Sequence, residues 1–226
     1  MKLNKNKLIG ITKIGLNQLD YKEVKDTITV AQGLYIKSVG VDFYLTLGLT
    51  ISRYYECMFT ASFYLSKTTI WATYGGDIPR NSYQRIGHFL SRQEREFLLG
   101  TDYSSEGVRD AWWNAEDKMS ISHFLETVRI TEDRFLNQPN LFVDIQNSKD
   151  IIELEKLAKM AEDRVQANDL SQYDYRFIPQ KAIDGIPIEW FKAAEKVLEY
   201  KKIKLNIDAV KRLAADAYRR QLYSKR

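Results

Sequence analysis

Between Val41 and Tyr74 the chain alternates apolar and polar residues three times in succession. Val41, Phe43, Leu45, Leu47, Leu49 and Ile51 interleave with Asp42, Tyr44, Thr46, Gly48, Thr50 and Ser52. Tyr55, Cys57, Phe59, Ala61, Phe63 and Leu65 repeat the pattern, and Ile70, Ala72 and Tyr74 extend it. A period of two sends alternate side chains to opposite sheet faces, so each run predicts a strand. The short links at Arg53-Tyr54 and Ser66-Lys67 predict antiparallel hairpins, because parallel strands need long crossovers. Tyr44, Met58, Tyr64 and Trp71 stand on the more polar face, which predicts that another part of the chain covers it.

Upstream, Leu8–Leu19 has helical spacing, while Tyr21–Val30 and Leu34–Val39 carry β-branched residues and predict two further strands. About five strands in a meander result. Downstream the period lengthens. A helix is expected from Asn81 or Ser82 through Leu90, and Ser91-Arg92-Gln93-Glu94 has the form of a capping box opening a second helix that stops at Gly100. Glu116–Gln138 is helical by period with a break near Thr131, and Leu141–Ile145 reads as a brief extra strand. Ser148 opens an amphipathic helix to Val165, and two more begin at Pro187 and near Asn206. Strands first and helices afterwards define an α+β fold with an antiparallel sheet. Residues 1–147 form the sheet part and 148–226 the helical part, either as two domains or as one packed unit.

A chain of 226 residues with 44% hydrophobic and 28% charged residues builds its core without disulfides. Its one cysteine, Cys57, sits on an apolar strand phase and reads as a small buried hydrophobe rather than a nucleophile. The basic start Met1-Lys2-Leu3-Asn4-Lys5-Asn6-Lys7 leads into an apolar stretch too broken for a signal peptide, and no run reaches the length of a membrane span. A cytoplasmic protein is expected, with no membrane partner.

Familiar catalytic signatures are absent from the sequence: there is no P-loop, G-x-G-x-x-G, G-x-S-x-G, H-E-x-x-H or C-x-x-C. Two histidines, His88 and His123, leave a metal site conceivable only with a carboxylate such as Asp77, Glu94 or Asp117; neither a metal nor a cofactor is expected. The densest constellation is Asp77, Arg80, Tyr83, Arg85, His88, Trp112 and Trp113. Arg and Trp anchor partner surfaces, and a guanidinium grips carboxylates in a planar fork. The competing reading makes Asp77 a helix cap, pairs Arg85 locally and places a tryptophan in the core. From Lys192 to Arg226 there are 11 Lys/Arg against 4 Asp/Glu. Lys201, Lys202, Lys204, Lys211, Arg212, Arg219 and Arg220 are therefore candidates for nucleic-acid contact, or else a solvated helix face.

The strand ending in glycine at Tyr44-Leu45-Thr46-Leu47-Gly48, the run Tyr83-Gln84-Arg85-Ile86-Gly87 and the pair Trp112-Trp113 resemble the bacterial domain-of-unknown-function family 4304 over roughly residues 40–115. The resemblance implies a bacterial, intracellular α+β domain with no established activity, and makes Arg85 and the tryptophan pair the family-like positions. It leaves the helices from Ser148 unaccounted for.

Three functions follow as expectations. The first is a non-enzymatic module that binds another protein, in the manner of immunity or antitoxin proteins that occlude a partner. The second is a nucleic-acid-binding protein using the basic C-terminal helices. The third is an enzyme of unrecognised type with Asp77, Arg85 and His88 in a cleft beside Trp112. No oligomeric state can be read from these residues.

Overall fold

The computed structural model describes residues 2–25, 31–71, 79–99, 110–168 and 185–224. Among these residues six antiparallel strands form one sheet: β1 (Lys22–Glu23), β2 (Gly33–Ser38), β3 (Tyr44–Ile51), β4 (Met58–Ser66), β5 (Tyr83–Arg85) and β6 (Trp113–Asn114). The order is β1-β2-β3-β4-β5, with β6 pairing the same edge of β4 as β5 but further along. The helices are α1 (Lys5–Gln18), α2 (Arg92–Leu99), α3 (Lys118–Leu136), α4 (Leu141–Gln146), α5 (Lys149–Gln166), α6 (Ile188–Tyr200) and α7 (Ile207–Tyr223). The α+β class with an antiparallel sheet is the one expected.

Alternation sorts the strands into two faces. Leu45, Leu47 and Leu49 of β3 pair with Leu65, Phe63 and Ala61 of β4 on one face, and all are fully buried. There α1 contributes Leu8 and Leu16, while α3 contributes Phe124, Val128 and Phe135. Edge-to-face aromatic contacts, such as Phe59 on Phe124 at 5.1 Å, lock the layer. The opposite face carries Ile36, Tyr44, Tyr64 and Trp71. As expected, it is covered, in part by α7, whose Tyr223 packs against it. Helices α5, α6 and α7 share a second core that includes Leu157, Trp190, Phe191, Val197 and Leu213.

Caps fall where the sequence places them. Ser91 and Glu94 exchange capping-box bonds at 2.8 and 3.3 Å, and Asn206 Oδ1 accepts from Ala209 N at 2.8 Å. Pro187 stands at the N-cap with extended backbone instead of in the first turn. Helix α3 runs unbroken through Thr131, because that hydroxyl bonds back to Thr127 O at 2.6 Å instead of interrupting the helix.

Four expectations fail for local reasons. Residues 80–90 are not a helix: two 3₁₀ turns, Arg80–Ser82 and Ile86–Phe89, flank β5. A three-residue turn puts Ile86 and Phe89 on one side, which imitates helical spacing. Leu141–Ile145 is helical, with Leu141 and Ile145 buried one turn apart. Cys57 lies in the β3–β4 turn at φ 60°, with its side chain buried, and β4 starts only at Met58. Lys67–Trp71 leaves the sheet as bends, because Thr69 bonds to α7 and Trp71 folds back over β3. The parts of the expected strands over 26–30 and 72–74 lie outside the described residues.

Trp71 seats on Gly48, where any Cβ would collide with the indole six-membered ring. Gly48→Ala is therefore expected to cost about 1–3 kcal/mol through overpacking. Chemical denaturation monitored by circular dichroism would read the loss.

Candidate functional site

Strand β5 is only three residues long, and its register decides where the candidate residues point. Tyr83 pairs with Tyr64 and Arg85 with Ser62, so both side chains stand on the face shared with α7, not on the helical surface expected. Strand β6 pairs Trp113 with Phe59 and Asn114 with Met58. Trp113 consequently enters the core, fully buried against Phe59 and Phe124 at 6.0 and 5.2 Å. Trp112, one residue earlier, takes the opposite phase and remains partly exposed.

The tryptophan pair is thus split between packing and surface. Trp112, Arg85 and Tyr83 lie on one sheet face together with Thr60 and Ser62 of β4. Arg85 Nε is 3.6 Å from Asp110 Oδ1. Its Nη1 is shut off from solvent without a hydrogen-bond partner, and so is Thr60 Oγ1 on the same face. A buried polar atom left without a hydrogen bond costs about 1–3 kcal/mol, so both atoms mark costly polar burial on this face. Tyr83 meets Trp71 edge-on at 5.6 Å, which closes the patch on the α7 side. Beyond Met58, the β3–β4 turn presents Tyr54 and Tyr55, 90% and 65% exposed.

The other expected residues fall elsewhere. Arg80 is exposed in the 3₁₀ turn before β5. His88 is exposed in the turn whose Phe89 packs on Phe135 of the core face. Asp77 lies outside the described residues. Sequence reasoning missed Thr60, Ser62 and Asp110. Reading β5 as a strand would have found the first two, since β4 alternation already places Thr60 and Ser62 on one face.

The basic C-terminal residues do not share one surface. Lys201, Lys202 and Lys204 are exposed around the α6–α7 turn, with Lys201 Nζ 3.9 Å from Glu153 Oε1. Lys211 and Arg212 are half-buried, whereas Arg219 and Arg220 are 4% and 9% exposed. Arg220 Nη2 donates to Lys67 O at 2.9 Å, and its Nε lies 3.4 Å from Asp216 Oδ2, an ion pair without hydrogen-bond alignment. Asp216, fully buried, accepts from Thr69 N at 2.5 Å and Thr69 Oγ1 at 2.9 Å. Burial pushes the Asp216 carboxyl above its ordinary range, and Arg220 pulls it back. Glu155 ties the cluster outward, 2.9 Å from Lys67 Nζ. A solvated basic helix face is therefore the wrong description for the buried Arg219 and Arg220, and Arg220 with Asp216 holds α7 to the chain around Lys67–Thr69.

No family model, curated protein or solved structure matches this chain. The likeness to family 4304 thus rests on the quoted residues alone. Among the described residues, no helix is long and apolar enough to cross a membrane, and no three His, Cys, Asp or Glu side chains gather as a metal site requires.

Proposed function

We propose that this chain is a non-enzymatic protein-binding module of the bacterial cytoplasm, and that its contact surface is the sheet face bearing Arg85 and Trp112. The observation that carries the reading is the partly exposed Arg85 guanidinium, whose Nη1 makes no hydrogen bond and whose one carboxylate neighbour among the described residues, Asp110, stands 3.6 Å from Nε, on the sheet face that the partly exposed Trp112 shares. Its occupant is a partner protein that presents a carboxylate to Arg85 and an apolar side chain to Trp112, with Tyr54 and Tyr55 supplying further aromatic area. Occlusion of a partner in the immunity or antitoxin manner is the form of function this surface suits. The nucleic-acid reading loses support because Arg219 and Arg220 are occupied inside the fold. A reading as an enzyme loses it because His88 is exposed in the 3₁₀ turn that follows β5, whereas Arg85 stands on the sheet face shared with α7.

Arg85→Ala and Trp112→Ala, both partly exposed and outside the buried clusters, are expected to weaken partner binding at least tenfold while leaving the thermal midpoint within a few degrees of the parent. Affinity capture from nuclease-treated native lysate, followed by titration with the recovered protein, reads the change. Equal affinity of parent and both variants would remove the proposal.

A further inference from the structure

Between the Trp71 side of the sheet and the helical layer lies a cavity of about 330 Å³. Tyr64 and Trp71 form its sheet wall, and Leu154, Leu157, Leu198 and Leu213 its helical wall. Small-molecule sites run from roughly 300 to 1,000 Å³ and combine an apolar lining with very few polar groups. This cavity fits that description with one feature added. Arg212 of α7 joins the lining, and its Nε is buried without a hydrogen-bond partner. Among the described residues, no ion pair joins Arg212 to a carboxylate, although exposed Asp150 also belongs to the lining.

An unfilled apolar space needs no explanation by itself, but a guanidinium at its wall does. Arg212 is half-buried, and its Nε–H lies out of solvent without an acceptor, a deficit that an anion entering the cavity relieves. The remaining walls offer an anion no comparable partner: the Thr68 hydroxyl lies 3.2 Å from that of Ser66. We propose that this cavity binds a small amphipathic anion, with its apolar body between Trp71 and the leucines and its single anionic head on Arg212. The site is separate from the Arg85 face and stands whether or not that face binds a protein. Gly48 contributes here as well, because its lack of a side chain leaves the space that the Trp71 indole occupies.

Isothermal titration calorimetry of the full chain with decanoate, decyl phosphate and decanol tests the proposal. At least one of the two anions is expected to bind, and the tighter of them identifies the head group. Arg212→Met keeps an apolar stem of similar length; it should weaken the anion about tenfold or more and change decanol less than twofold. Methyl spectra of the unmodified protein supply a readout that needs no variant, with Leu154, Leu157 and Leu213 expected to shift on addition of decanoate or decyl phosphate. Failure of both anions to bind, undiminished binding to Arg212→Met, or shifts confined to methyls outside the cavity would each overturn the assignment.

Discussion

Trp113→Ala is expected to lower the stability of the fold by about 3–5 kcal/mol, the range for deleting a large buried aromatic side chain. The indole is fully buried where β6 closes against β4, and it touches both Phe59 and Phe124. Its Nε1 has no hydrogen-bond partner, so the ring is held by packing alone. Trp113→Phe, which keeps an aromatic ring and discards the unpaired N–H, should cost clearly less. Urea denaturation of the three proteins checks both statements. The result matters for function, since a Trp113→Ala protein would lose a partner by unfolding and would be mistaken for an interface variant. Trp112→Ala has no such ambiguity.

Asp216→Ala is expected to cost a similar amount, about 3–5 kcal/mol, because it strands a buried charge. The carboxylate receives both the amide and hydroxyl of Thr69 and stands beside Arg220, whose own side chain is buried. Removing it leaves Arg220 with the Lys67 carbonyl and a 3.7 Å approach to Glu155. Adding Arg220→Met to Asp216→Ala should therefore restore part of the stability, since the double variant no longer buries a cation that has lost its fully buried carboxylate. A double-mutant cycle by denaturation measures the coupling, and strictly additive losses would show that the two side chains act independently.

Much of the fold was legible because burial writes its period directly into the sequence. Leu45, Leu47 and Leu49 share one phase and occupy one face, and Ile151, Leu157 and Ala161 mark the inner stripe of α5. The same rule failed where an element is short. Three residues of β5 carry too little alternation to announce a strand, and the 3₁₀ turns around them reproduce the spacing of a helix. Leu141–Ile145 failed likewise, since a six-residue helix and a brief strand share the same apolar content.

The candidate face suffered directly from the β5 misreading. Arg85 and Trp112 were found by residue type, but their neighbours Thr60 and Ser62 follow only from the pairing of β5 with β4. Partition of Trp112 from Trp113 likewise depends on the β6 register, a non-local contact that adjacent identical residues cannot reveal. In α7, the basic residues look like a surface run until Asp216 is seen buried between Thr69 and Arg220. That partner lies 147 residues from Thr69 along the chain, a separation no local pattern encodes.

The most direct test of the binding face is site-specific photocrosslinking in the native cell, with an aromatic photoreactive residue replacing Trp112, so that a ring is kept there, and, as a control, one at position 204 on the α6–α7 turn. The account predicts a discrete protein adduct at 112 that survives nuclease and disappears with Arg85→Ala, with no such adduct at 204. Absence of an adduct at 112, or a nuclease-sensitive adduct at 204 instead, would contradict it.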